Sequence, residues 1–249
     1  MANIPYHDIN LFNNGTNIIL TSPNSEFQYQ FAQTKETIGL DSEMYNDFLK
    51  NAISRFRKSP TYRGYKAHLY DIGMDRCQVL GNITDQMATL EMHHNFLNIH
   101  DIALMITEHT LNTVGQITTF DLVQLLKTEH KLDNIPLVML CKTVHQLYHA
   151  NEEFILPASM CFGNWKALLE KYKYGITLTI AYKIINFLKR SIELEKNKDE
   201  YADRELLDLR ENILNWSVYI TELQSGIKYF NNQQFQPVYN NMNYIGTGN

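Results

Sequence analysis

Cysteine is scarce in this chain, long apolar runs are missing, and positive charge is outnumbered by negative. Three cysteines among 249 residues, at positions 77, 141 and 161, cannot build a disulfide framework, which points to a reducing compartment. No stretch approaches the roughly 18 consecutive apolar residues of a membrane span. The opening residues MANIPYHDIN lack the basic and apolar regions of a secretory signal, so the expected location is the cytoplasm. With 22 Lys and Arg against 27 Asp and Glu, the net charge of −5 argues against a protein that grips nucleic acid over its whole surface. No internal repeat of about 20 to 50 residues is visible, which excludes a solenoid.

What is present is enough apolar material, 44% of the chain, for one or two domains with a sizeable core. Residues 1–41 are rich in Asn, Gln, Ser and Thr, show no sustained period, and read as an irregular arm. Residues 226–249 form an Asn-rich tail with Tyr and Phe interspersed, which is either disordered or an extended segment laid on a partner. Between them, apolar spacing predicts a helix from Ser42 through Phe56, then turns at Ser59-Pro60 and Arg63-Gly64. Short strands are predicted at Ala88–Met92 and Ile135–Leu140. Helices are predicted at Asp101–His109, Thr119–His130, Lys142–His149, Trp165–Tyr174, Thr177–Glu195 and Ala202–Gln224. In the second of these, Phe120, Val123 and Leu126 share a face; in the third, Val144, Leu147 and Tyr148 do. Residues 42–165 thus form a core region and 166–225 a helical region.

Charge is polarised along the chain. Lys50, Arg55, Arg57, Lys58, Arg63 and Lys66 fall in a stretch with no acidic residue, whereas residues 193–211 hold eight acidic and four basic ones. The basic stretch reads equally as a solvated helix face and as a local phosphate-binding patch with Tyr62 and Tyr65 interleaved.

Seven of the nine histidines lie between 93 and 149, where an even spread would place about two. His93 and His94 are adjacent on a predicted strand end, so their side chains point to opposite sides and only one can join a given metal shell. His145 and His149 are four apart on a predicted helix, one turn from each other on one face, a spacing that can chelate one ion. One strand histidine with two helix histidines supplies three neutral nitrogen ligands, and the other strand histidine is left to act as a base. His100, His109 and His130 fall at helix ends and read as surface or capping residues. Glu91 reads first as a solvated strand position.

The pattern H-H, then H-x-x-x-H, with an Asn before the second strand, resembles the HNH or His-Me finger nucleases. The segments CQVL from Cys77 and CKTV from Cys141 stand where that family carries two C-x-x-C pairs, each keeping its first cysteine. The resemblance covers Arg76 to about His149 and departs from the family in residues 95–133, which hold two predicted helices. It implies an α+β, mostly helical protein with a small ββα-metal core, a helical insertion, C-terminal helices and extended termini. It further implies a DNA endonuclease in which one divalent ion, Mg, Mn, Zn or Ni, is held by His93, His145 and His149. His94 would be the general base and Asn134 would orient the His94 loop. Lys50, Arg55, Arg57, Lys58, Arg63 and Lys66 would bind DNA. Cys77 and Cys141 would mark a degenerate zinc site, with no structural zinc and an apolar cluster in its place. The style of a small nuclease core between Asn- and Tyr-rich arms also looks phage-encoded, which would place the protein in the host cytoplasm. The rival reading is a non-catalytic scaffold or virion component that keeps a degenerate finger and docks a protein partner through residues 1–40 and 225–249.

Overall fold

A computed structural model of the chain describes residues 42–151, 154–195 and 200–224, with short pieces at 20–21, 28–29, 33–35 and 37. The predicted tail at 226–249 and most of the predicted arm at 1–41 lie outside the described residues. From the arm come three two-residue strands, β1 (Leu20–Thr21), β2 (Gln28–Tyr29) and β3 (Gln33–Thr34).

Helix α1 (Ser42–Lys58) buries Phe48, Leu49, Ala52, Ile53 and Phe56, an apolar stripe at helical spacing, and leaves its basic last turn outside. Helix α2 (Pro60–Asp71) begins at once, with Ser59 as its N-cap: the Ser59 hydroxyl accepts from the Tyr62 amide at 3.2 Å, and Pro60 occupies the first helical position. The turn expected at Arg63-Gly64 does not occur. Gly64 sits inside α2, because a capped, proline-led start and the burial of Tyr65 and Leu69 outweigh a single helix-weakening glycine.

The strand β4 (Leu90–His94) lies two residues later than its sequence pattern suggests. It pairs antiparallel with β6 (Leu137–Cys141) in the register Leu90↔Cys141, His93↔Val138, His94↔Leu137. Between the two strands, α3 (Ile99–Thr113), β5 (Gln116–Ile117) and α4 (Thr119–Lys131) form the inserted layer. Both helices start with a reciprocal capping box, Asn98 with Asp101 and Thr118 with Asp121, which fixes where each begins. Strand β5 pairs with β3. The insertion is no peripheral loop: Ile102, Ala103, Met105 and Ile106 of α3 are fully buried at the centre of the core. On α4 Val123 and Leu126 are buried as expected, together with Leu122 and His130, whereas Phe120, expected on the same face, is 51% exposed, so the buried face is centred on the Leu122–Leu126 side, away from Phe120.

Every residue of β6 is buried, and helix α5 (Lys142–Ala150) follows without a linker. Val144 packs inward, but Leu147, expected beside it, is 52% exposed. The chain continues through α6 (Trp165–Lys171), α7 (Leu178–Glu195) and α8 (Glu200–Gln224), with α7 tied to α3 by Lys183, whose Nζ donates to Asp101 at 2.6 Å. One buried apolar cluster runs from Phe48 on α1 to Ile213 on α8. The described residues therefore make a mostly helical α+β fold with three two-stranded antiparallel sheets.

The approach to β6 depends on a close backbone crossing. Gly163 has φ of 96°, and a Cβ there would meet the Ile135 carbonyl oxygen at 2.4 Å and that of Asp133 at 2.8 Å. Gly163→Ala is expected to destabilise the protein by about 3 kcal/mol, because neither carbonyl can move without shifting β6. Gly64→Ala, in open space within α2, is expected to stabilise it by about 0.5 to 1 kcal/mol. Denaturant midpoints of the two variants measure both; equal effects would contradict this packing.

Candidate metal centre

Successive residues of a strand face opposite sides, and β4 uses both. Glu91 and His93 face α5; Leu90, Met92 and His94 face the other way. On the α5 side His93 meets His145 and His149, with ring centroids 4.9 and 5.4 Å away, and the helix pair lies 4.7 Å apart. One ligand nitrogen from each of the three lies within 4.8 Å of the others. The spacing of the sequence placed these three residues on elements that could meet, and the fold brings them together.

The proton positions follow from Glu91. Its Oε2 accepts from His145 Nδ1–H at 2.5 Å, which leaves the lone pair of neutral His145 on Nε2. That Nε2 faces His149 Nε2 at 3.0 Å. Two nitrogens bound to one tetrahedral ion at about 2.1 Å would stand about 3.4 Å apart, close to this arrangement. The third, His93, has its Nε2 enclosed and without a hydrogen-bond partner. Burial, followed by the His145 and His149 charges, pushes the His93 pKa down to about 4, so it is a neutral donor near pH 7. Its ring is held by Tyr148, 4.3 Å away. An enclosed lone pair, a facing nitrogen pair and a carboxylate behind one of them suit a divalent cation of the zinc type. Glu91 is thus part of the centre; its i, i+2 relation to His93 was the signal that placed it on the same strand face.

His94 occupies the opposite side of β4. Its ring lies 5.7 Å from His130, and its Nε2 is enclosed with no hydrogen-bond partner. Burial, then the His130, Arg57 and His93 charges, hold its pKa well below the usual histidine value. The expected role as general base at the three-histidine cluster is therefore not supplied by this geometry: strand alternation sends the ring into the α1–α4 side.

Asn134 also departs from its expected role. Its side chain donates to Glu129 Oε2 at 2.7 Å, in a network where Lys171 and Tyr172 both reach Glu129 Oε1. Those donors satisfy a carboxylate with no exposed surface, and none of Asn134's hydrogen bonds reaches the His94 loop. That loop is fixed by Asn95, which sequence reasoning passed over. The Asn95 amide donates to Pro136 O at 3.0 Å, and Asn95 Nδ2 donates to Leu156 O at 3.2 Å and Cys161 Sγ at 2.9 Å.

Cys77 and Cys141 are brought together as buried free thiols. Burial pushes the Cys77 thiol up, but amides of Cys141, Leu80 and Val79 and the Cys141 thiol outweigh it and leave the group below its usual value. Of the basic stretch, Lys50, Arg57, Lys58 and Arg63 are exposed, while Lys66 spends its ammonium on the Leu90 carbonyl at 2.8 Å.

Behind His94, His130 donates its Nδ1–H to Leu126 O at 2.7 Å and leaves Nε2 enclosed and unpaired among Phe56, Tyr62 and Tyr65. Burial pushes its pKa down to about 4. In the unfolded chain the value is about 6.5, so the unfolded state binds the extra proton between those limits. Stability is then full above about pH 6.5 and falls by up to about 3 kcal/mol as pH drops to about 4. His130→Phe should flatten the dependence of unfolding free energy on pH across that window; an unchanged slope would show that His130 does not titrate with folding.

No curated protein and no solved structure matches the chain. Residues 6–218, which include every strand and most of the helical core described above, match a family of phage particle proteins. The chain belongs to the bacteriophage G278-like virion protein family.

Proposed function

We propose that this protein is a structural component of the phage particle whose ββα segment is pinned by one divalent transition-metal ion held by His93, His145 and His149. The observation that carries the reading is the convergence of one nitrogen from each histidine within 4.8 Å. Family membership favours a place in the virion over a freely acting enzyme. Glu91 fixes the His145 tautomer and raises its basicity as a ligand. When bound, the ion would join β4 to α5, elements far apart in sequence, and stabilise the folded state by its binding free energy.

Titration of the metal-stripped full chain with Zn²⁺ or Co²⁺, followed by calorimetry, tests this. One site per chain is expected, with a rise in unfolding temperature. His145→Ala should abolish both, and Glu91→Gln should weaken binding by about 10- to 100-fold. Absence of a site, or a site indifferent to His145, would overturn the reading.

A second reading, hydrolysis of phosphodiester bonds in DNA, draws support from the order antiparallel strand, strand, helix around the three histidines. A bound ion there would act as a Lewis acid on a phosphate oxygen. His93, His145 and His149 would hold it, Glu91 would steer the His145 ring, and a base other than His94 would be required. Plasmid nicking with Mg²⁺, Mn²⁺, Ni²⁺ or Zn²⁺ that is lost in His149→Ala would favour this reading; no cutting with any of the four would remove it and leave the structural site standing.

A further inference from the structure

Cys77 and Cys141 come from separate parts of the chain and are held side by side by backbone bonds. The Cys77 amide donates to Ile83 O at 2.8 Å, and its carbonyl accepts from the Gly81 amide at 2.7 Å, which closes residues 77–83 into a turn. The next residue, Gln78, is tied to Met139 of β6 twice: its amide donates to Met139 O at 2.9 Å, and its side-chain oxygen accepts from the Met139 amide at 2.7 Å. Cys141 ends β6 opposite Leu90, and the Lys142 amide that follows it donates to Thr89 O at 3.1 Å. The two sulfurs therefore meet where β6 becomes α5.

The surroundings of Cys77 suit an anion and not a packed thiol. Amides of Val79, Leu80 and Cys141 are directed at its sulfur, and the Cys141 thiol hydrogen-bonds to it. These donors outweigh burial and hold the Cys77 thiol below its usual value. Cys161 is the contrast: it accepts from Asn95 Nδ2 at 2.9 Å, and burial pushes its thiol up to about 12. Among the described residues, the convergent group of three metal-binding side chains is the histidine centre, so the two sulfurs have no third ligand with which to build a zinc shell. An activated thiol in contact with a second thiol is instead the starting geometry for an S–S bond of about 2.05 Å.

We infer that Cys77 and Cys141 form a reversible disulfide, which locks the start of α5 to the 77–83 turn once the protein leaves a reducing compartment. The Cys77 thiolate attacks one sulfur of a small-molecule disulfide of the glutathione class, giving a mixed disulfide and releasing one small thiol. The Cys141 sulfur gives up its proton and attacks the Cys77 sulfur, and the second small thiol departs. Two protein thiols are oxidised, one small disulfide is reduced to two thiols, and the two protons pass to the departing thiolates. Cys77 has no exposed surface, but residues 72–89 contain neither helix nor strand, and Leu80 in the turn is 48% exposed. Local opening of that turn reaches the sulfur without unfolding the core. Family membership gives the change its setting, because a particle protein is made in the reducing interior of a cell and later meets oxidising surroundings. The bond closes a loop that contains β4, α3, α4 and β6 and uses none of the three histidines, so it is independent of the metal reading.

The full chain, held in EDTA with oxidised glutathione and no denaturant, then alkylated and mapped by mass spectrometry, tests the inference. The expected product is lighter by two hydrogens, carries a Cys77–Cys141 cross-linked peptide, and has Cys161 open to alkylation once the chain is unfolded. Its unfolding temperature should stand about 5 to 10 °C above that of the reduced form and return to it with dithiothreitol. Cys141→Ser should form no cross-link and show no such rise, whereas Cys161→Ser should still form it. The inference is overturned if no cross-link forms without denaturant, if Cys161 takes part in it, if it joins two chains, or if the oxidised chain melts no higher than the reduced one. The wild-type peptide map decides the matter even where a cysteine variant does not fold.

Discussion

The arrangement of the candidate centre depends on the register of one strand pair. With Leu90 opposite Cys141 and His93 opposite Val138, Glu91 and His93 face α5 and His94 faces away. A slip by one residue would exchange those faces. The slip is opposed by β6, where Leu137, Val138, Met139 and Leu140 have no exposed surface. It is opposed again by Gln78, whose side chain accepts from the Met139 amide at 2.7 Å while its own amide donates to Met139 O at 2.9 Å. Because α5 begins directly after Cys141, the same register sets the rotation of α5 and the direction of His145 and His149. The centre is thus positioned by backbone pairing and burial before any ion is considered.

The features legible in the sequence were those governed by local periodicity. A four-residue spacing told that His145 and His149 share a helix face, and strand alternation told that only one of His93 and His94 could join them. The same rule, applied to Glu91, would have put the carboxylate beside His93, but an acidic residue near a strand reads first as solvated. Partner choice was not legible. Asn134 had a plausible place in a motif, yet the buried Glu129 carboxylate, brought near by α4, claims its side chain. Asn95, whose identity carried no motif signal, ties the His94 loop to three distant groups. Arg63-Gly64 reads as a turn from its local sequence, and the Ser59 cap and the burial of Tyr65 hold it in a helix instead. Most of residues 1–41 and all of 226–249 lie outside the described residues, and with them the segments expected to dock a partner.

The shortage of positive charge also changes meaning once residues are placed. Two of the negative charges, Glu129 and Asp101, are buried and paired with Lys171 and Lys183, so they contribute to the count without facing solvent as free carboxylates. Much of the remaining acidic excess falls on α7, α8 and the residues that join them, whereas α1 presents cations along its exposed face. A whole-chain average therefore describes neither surface. The scarcity of cysteine carries a parallel lesson: Cys77 and Cys141 meet as two buried thiols, with three backbone amides directed at one sulfur, so they form a local cluster without a disulfide.

The account rests on three histidines serving as one metal shell. X-ray absorption at the zinc edge, recorded on the purified full chain loaded with one equivalent of Zn²⁺, measures this directly. It is expected to give three imidazole nitrogens at about 2.0 to 2.1 Å with one lighter ligand completing a tetrahedron. A shell containing sulfur at about 2.3 Å, or fewer than three imidazoles, would place the ion elsewhere and contradict the account.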